Sequence, residues 1–339
     1  MKNNDHYVII GNGPAGNKAA DTIRKNDKES RVTIISDEAF CFYYRHKLPA
    51  FISGDATEES LIVRPYSIYK ENNIRMRLGQ RVERIDPYEK TLYLKHMENV
   101  HYTKLILATG GVPNIISSLV NVRDYLTCIT TYTDAIKAFP KIQAAKNILI
   151  LGGDLTSLSF INQMVKMGKK VTLCLCQYCF WPVELTTEVV DKVCENLQLK
   201  NVETLLDDLV AAVAPNGNTL DVTTESGKAY NIDLLCNFMG LKPNIDFVKG
   251  SGINLERGIL VDANLRTNFE DIYACGDCAQ IFSKELKDYW ISIGWNNAEL
   301  QGEVAALNVL GQQKEAKPSP KNIFNMEGIK INTSWWKEF

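Results

Sequence analysis

The sequence predicts an α/β protein of two similar nucleotide-binding units, one inserted into the other. Three observations predict it. A strand, a glycine-rich turn, a helix and a second strand follow one another over Tyr7–Ile35. The same succession recurs from Asn147 to Leu175. A further strand and turn, Ile272–Asp277, come only after the second copy is complete.

The elements run as follows. Tyr7–Ile10 is the first strand, followed by the turn and a helix to about Lys25; Arg31–Ile35 is the second strand, ending at Ser36-Asp37-Glu38. Phe40–Gly54 is aromatic, basic and irregular. Thr91–Leu94 and Lys104–Leu107 are strands, the latter entering Ala108-Thr109-Gly110-Gly111-Val112-Pro113. The second unit has strands at Asn147–Leu151 and Lys170–Leu175, with Leu220–Thr224 and Leu234–Phe238 after them. Gly240-Leu241-Lys242-Pro243-Asn244 is a turn cluster where the chain crosses back. Ile272–Ala274 is a strand, and a helix covers roughly Asn297–Leu310. Lys317-Pro318-Ser319-Pro320 breaks the chain before a short tail.

Length and composition bound the function. At 339 residues the chain suits two or three domains with sizeable cores. A net charge of -2 gives no support for nucleic-acid or membrane-surface binding. The N-terminus carries no secretory pattern and no stretch is long enough to span a bilayer, so a cytoplasmic setting is expected. The nine cysteines then read as reduced thiols or ligands. There is no Ser-His-Asp arrangement, zinc spacing or acid–base pair pointing to hydrolysis.

The first turn, Gly11-Asn12-Gly13-Pro14-Ala15-Gly16, holds all three glycines of a dinucleotide fingerprint. Gly11 permits the tight turn, Gly13 lets a diphosphate approach the backbone, and Gly16 lets the helix pack on the strand. The diphosphate then meets the helix N-terminus, where free N–H groups and the dipole favour anions. A carboxylate at the end of the second strand should bind the ribose; Glu38 is the first choice and Asp37 the alternative.

Five motifs stand together: Gly11–Gly16, Phe42-Tyr43-Tyr44-Arg45, Leu107-Ala108-Thr109-Gly110, Gly240-Leu241-Lys242-Pro243-Asn244 and Ile272-Tyr273-Ala274-Cys275-Gly276-Asp277. With them the chain resembles the FAD-dependent pyridine nucleotide-disulfide oxidoreductase superfamily, in its rubredoxin reductase and nitrite-reductase-like flavoprotein branch. The resemblance spans roughly residues 5–325. It implies two Rossmann-like domains. An FAD domain would be built from 1–112 and 245–325, with an NAD(P)-like domain, 113–244, inserted between them. It also implies site residues. Gly11, Gly13, Pro14, Ala15 and Gly16 would hold the FAD diphosphate, and Glu38 or Asp37 the adenosine ribose. Arg45 and Lys47 would lie near the isoalloxazine, and Val82 would meet adenine through its backbone. Ala108, Thr109 and Gly110 would line the cofactor, and Gly276 and Asp277 would serve its ribityl or diphosphate region. The segment Ala298–Gly302 would aim a helix N-terminus at the flavin pyrimidine ring. Arg45 also fits a solvated surface arginine, and His46 a structural histidine or a proton shuttle.

The second fingerprint, Leu151-Gly152-Gly153-Asp154-Leu155-Thr156-Ser157-Leu158-Ser159, is altered. Asp154 stands where the second glycine belongs, Ser157 where the third does, and Leu175 where a ribose-binding acid is expected. Two unit charges at ~4 Å repel by ~4 kcal/mol at an effective dielectric of ~20. An ionised Asp154 would therefore weaken dinucleotide binding more than tenfold even at half that figure. NAD(P)H use is open, and the cleft could be idle or lent to a protein partner.

Cys174, Cys176, Cys179 and Cys194 offer three readings. They are buried structural thiols, ligands of a metal or iron–sulfur cluster, or a redox dithiol at Cys176 and Cys179. The structural reading is preferred, as it is for Cys275 and Cys278.

Relatives carry a further C-terminal domain that often forms the dimer. Here residues 326–339 would be a short tail in its place, with Trp335, Trp336 and Phe339 near its end. That implies a monomer or a subunit of a hetero-oligomer. The expected activity is that of an FAD-dependent oxidoreductase or electron-transfer subunit, of the kind met in anaerobic metabolism. Its partner would be a ferredoxin-like, rubredoxin-like or iron–sulfur redox protein. Two alternatives stand beside it: an NAD(P)H-dependent rubredoxin or ferredoxin reductase, and a non-catalytic scaffold that holds FAD in a complex.

Overall fold

A computed structural model of the chain describes residues 5–153, 155–175, 187–285, 287–291, 293–317, 323–326 and 329–332. Two five-stranded parallel sheets organise it. The first runs Ile272–Ala274, Lys104–Leu107, His6–Ile10, Arg31–Ile35, Ile74–Arg77. The second runs Leu126–Thr127, Leu234–Asn237, Asn147–Leu151, Lys170–Leu175, Glu203–Leu206. Their central strands are apolar on both faces because helices and further strands cover both. Val8, Ile9 and Ile34, and Leu149, Ile150 and Leu173, are fully buried.

The two sheets are copies of one plan, and their hydrogen bonds align them residue by residue. Gly11 N donates to the Ile35 carbonyl, as Gly152 N does to that of Cys174. Ala108 N donates to the Ile10 carbonyl, as Phe238 N does to that of Leu151. By this register the partner of Ser36 is Leu175, and the partner of Asp37 is Cys176. The sequence reading placed the missing ribose acid at Leu175, the equivalent of Ser36; the equivalents of Asp37 and Glu38 are Cys176 and Gln177, neither of them an acid. Ser36 N donates to the Arg77 carbonyl.

The chain passes between the units through a two-stranded antiparallel ribbon, Gly111–Pro113 against Leu241–Pro243. Asn244 N bonds the Gly110 carbonyl and Asn114 N bonds the Gly240 carbonyl, both at 2.9 Å. Gly110 and Gly240 both take positive φ, 62° and 78°. Each ribbon strand leaves the carboxyl end of an equivalent sheet strand, so the carboxyl edges of both sheets meet around the ribbon.

Phe40–Gly54 is more ordered than expected. Leu48–Ser53 is a helix with Pro49 near its start and Gly54, at φ 85°, closing it. Leu48 and Ile52 are buried among residues of the second unit, including Ala138, Ile142 and Ile161. Sequence periodicity missed the helix because six residues hold under two turns. The closing helix starts at Trp295, two residues before the expected Asn297. Residue 326 falls inside a hairpin, Ile323–Met326 against Ile329–Asn332, rather than opening a bare tail. The hairpin's first strand lies beside the helix Leu155–Lys166. Trp335, Trp336 and Phe339 lie outside the described residues. No helix among the described residues is long and apolar enough to cross a membrane.

Candidate functional site: two nucleotide clefts

The first glycine turn is built by close packing. Gly11 sits at φ 119°, and a Cβ there would be driven into the Ala108 carbonyl. A Cβ on Gly16 would strike the Gly11 carbonyl, and one on Gly302 the Ala15 carbonyl. Strand, turn and two helices therefore meet at van der Waals range only because three glycines are present. Gly13 is different: a Cβ added there meets nothing within 4 Å. The turn presents open space at the position where a diphosphate would come against the backbone, with Pro14 opening the helix behind it.

A cavity of about 150 Å³ adjoins this turn. Its lining includes Gly11, Asp37, Val82, Thr109 and Asn244. Asp37 lines it and Glu38 does not. The Glu38 carboxylate accepts from the Tyr43 hydroxyl at 2.7 Å, pairs with Arg45, and takes the Tyr132 N–H at 3.3 Å. Gln80, Arg81, Asp246 and Phe247 also line the cavity. No motif named them, since they sit on short connections far apart in sequence.

Asp277 completes the turn on its far side. Gly276, at φ 76°, donates its N–H to Gln301 at 2.7 Å. Burial pushes the Asp277 carboxyl up to about 6, opposed by the N–H of Gly294 and the charge of Arg45. Gly294 is also the N-cap of the closing helix, so Asp277 meets that helix at its positive end. Trp295 stacks between Phe42 and Tyr44, with centroids at 5.1 and 5.4 Å. Lys47 Nζ lies 4.5 Å from the Tyr44 ring centroid and reaches the Ser60 carbonyl at 3.2 Å. Arg45 Nη1 donates to Tyr43 at 2.9 Å and to the Thr130 carbonyl at 2.8 Å. Thr109 Oγ1 donates to the Asn244 carbonyl at 2.8 Å.

The turn, the cavity and the half-buried Asp277 fit a dinucleotide cofactor held across one carboxyl sheet edge. Comparison with known proteins agrees. The family model for pyridine nucleotide-disulphide oxidoreductases matches residues 5–302. The chain belongs to that family. Its relatives include an NADH-rubredoxin oxidoreductase of Clostridium acetobutylicum, 30% identical, over 96% of this chain and 80% of that one. A rubredoxin-NAD(+) reductase of Pseudomonas putida is 26% identical over 96% of this chain and 85% of its own. Among solved structures, a putidaredoxin reductase in covalent complex with putidaredoxin superposes with TM-score 0.85 at 24% identity, covering 96% and 80% of the two chains. That last likeness is one of fold.

Family membership makes the chain an FAD-dependent oxidoreductase and implies FAD and a nicotinamide dinucleotide as cofactors. Bound FAD supplies an isoalloxazine that exchanges two electrons as a hydride or passes them singly. Gly13 leaves room where the diphosphate would lie, and Asp37 lines the cavity where a ribose would meet a carboxylate.

The second cleft keeps only part of this construction. Gly152 holds φ 82°, and a Cβ there would strike the Phe238 carbonyl, repeating Gly11 against Ala108. Ser157, in the place of Gly16, is 0% exposed. At Gly16 a Cβ has no room, whereas Ser157 carries one at the equivalent position. Asp154 lies outside the described residues.

The cysteines separate. Cys174 packs with Leu149, Leu205 and Val222 on one face of the second sheet. Cys194 packs with Val193 and Leu197 on the other face. Cys174 and Cys194 thus lie on opposite faces of that sheet and do not meet. Burial pushes the Cys174 thiol up to about 12 and raises Cys194 as well. Cys176 and Cys179 lie outside the described residues. No cluster of three or more potential metal ligands occurs among the described residues.

Proposed function

We propose that the protein passes electrons between FAD in the first cleft and a small one-electron iron–sulfur carrier of the rubredoxin or ferredoxin type. The observation carrying this is the near full-length relationship to an NADH-rubredoxin oxidoreductase. In this reading Gly11, Gly13, Gly16, Asp37, Val82, Thr109 and Asp277 hold FAD. The two-electron partner is a nicotinamide dinucleotide that uses the second cleft at reduced affinity. Asp154 at the diphosphate approach and Ser157 behind it both weaken that cleft. The scaffold alternative is disfavoured by the relatives that match nearly the whole chain, which are named oxidoreductases.

The test is anaerobic mixing of the FAD-loaded protein with a chemically reduced rubredoxin or ferredoxin while the flavin absorbance is followed. Bleaching within seconds at micromolar carrier is expected. A flavin that no such carrier reduces, and that in its reduced state reduces none, overturns the reading.

A further inference from the structure

The structure turns two residues that resemblance gives to FAD, Glu38 and Arg45, toward the second unit. Glu38 follows the second strand of the first sheet, and its side chain is 12% exposed. It accepts from Tyr43 Oη at 2.7 Å and from Tyr132 N at 3.3 Å, and it pairs with Arg45. Tyr43 Oη takes the same Tyr132 N–H at 2.8 Å. Arg45 returns across the boundary to the Thr130 carbonyl at 2.8 Å. Phe40 lies flat on the Tyr132 ring, with centroids 3.9 Å apart and planes within 7°.

Tyr132 is the first residue of the helix Tyr132–Ala144, which belongs to the second unit. Its N–H is one of the donors that a helix leaves without an internal partner. Thr131 and Asp134 close a capping box on the same turn. The Tyr132 N–H is bound instead by the first unit, through Tyr43 and Glu38. A carboxylate at a helix N-terminus is also favoured by the dipole.

The units are already joined by the ribbon at 111–113 and 241–243, which has a positive-φ glycine at the start of each strand. One such joint leaves the angle between the carboxyl edges free. The Glu38 cluster is a second joint away from the ribbon, and the buried helix Leu48–Ser53 extends it. Two joints fix an angle.

We propose that Glu38 is a positioning residue. Through Arg45, Tyr43 and the N-terminus of the helix Tyr132–Ala144 it sets the gap between the two nucleotide clefts. Of the two neighbouring acids, Asp37 and not Glu38 lines the cofactor cavity. Hydride transfer from a dinucleotide in one cleft to the flavin of the other depends on that gap, because reacting atoms must come within about 3–3.5 Å. The proposal does not rest on the iron–sulfur partner.

The test compares Glu38→Ala, Glu38→Gln and Asp37→Asn by three readouts. These are FAD affinity of the apoprotein, amide hydrogen exchange over residues 130–134 without cofactor, and flavin reduction by millimolar NADH. For Glu38→Ala, FAD affinity within threefold of the parent is expected. Exchange at Tyr132 should be at least tenfold faster and NADH-driven reduction at least tenfold slower. Glu38→Gln keeps acceptors for Tyr43 and Tyr132 and should recover most of the reduction rate. Asp37→Asn should lose FAD affinity tenfold or more with Tyr132 exchange unchanged. Arg45→Met should reproduce the faster exchange, so the reading survives should Glu38→Ala fail to fold. The proposal is overturned if Glu38→Ala weakens FAD as Asp37→Asn does, or if exchange at 130–134 is unaltered in both Glu38→Ala and Arg45→Met.

Discussion

Gly11 and Gly13 are two residues apart and answer to different forces. Gly11 is held by the fold, through a positive φ and the Ala108 carbonyl behind it. Gly11→Ala should destabilise the apoprotein by about 2 kcal/mol or more, read by denaturant unfolding. Gly13 faces open space, so Gly13→Ala should leave apoprotein unfolding unchanged and cut FAD affinity at least tenfold, read by reconstitution. Both residues were legible in the sequence because the fingerprint is local. Asp37 against Glu38 was not. Neighbouring acids on an irregular turn point apart, and only the burial of Tyr43 and the approach of Tyr132 decide which way each goes.

Asp277 gives a pH dependence at the same scale. Its folded value is raised to about 6, above the ordinary carboxylate range. Between about pH 4 and 6 the folded apoprotein holds a proton that the unfolded chain has released, so stability falls as pH rises through that window. Asp277→Asn should flatten this slope in thermal unfolding of the apoprotein and weaken FAD binding. An unchanged slope would contradict the assignment.

At the scale of elements, the helix Tyr132–Ala144 is secured at its N-terminus by the Thr131 capping box. Thr131→Ala should cost about 1 kcal/mol of stability, measured by urea unfolding. The two glycine turns are the other decisive elements. Asp154→Gly with Ser157→Gly should raise NADH affinity about thirtyfold, by removing a charge repulsion worth ~2 kcal/mol at that approach. An unchanged affinity would mean that the altered fingerprint is not what limits binding. Long strands and helices were legible because their apolar runs are continuous, as in Val8–Ile10 and Leu149–Leu151. The helix Leu48–Ser53 was hidden in an aromatic, basic stretch. Its apolar face is explained only by the second unit lying against it.

At the scale of the molecule, one plan occurs twice with different outcomes. The backbone bonds that set both turns are the same, and the ribbon joins the two carboxyl edges. The repeat was readable from the sequence, and so was the insertion of one unit in the other. The register was not, because Leu175 and Cys176 differ by one residue and only the pairing of Gly152 with Cys174 fixes the count. The separation of Cys174 from Cys194 likewise needed the sheet between them. The molecule thus keeps all three fingerprint glycines in one turn and only the first of them in the other.

The most direct test is an anaerobic titration of the FAD-loaded protein with NADH, following the flavin bands. One FAD per chain is expected, with an initial bleaching rate that reaches half its maximum only at near-millimolar NADH. A rate already saturated at a few micromolar NADH would contradict the account, because it would mean the second cleft binds its dinucleotide as well as an unaltered fingerprint does.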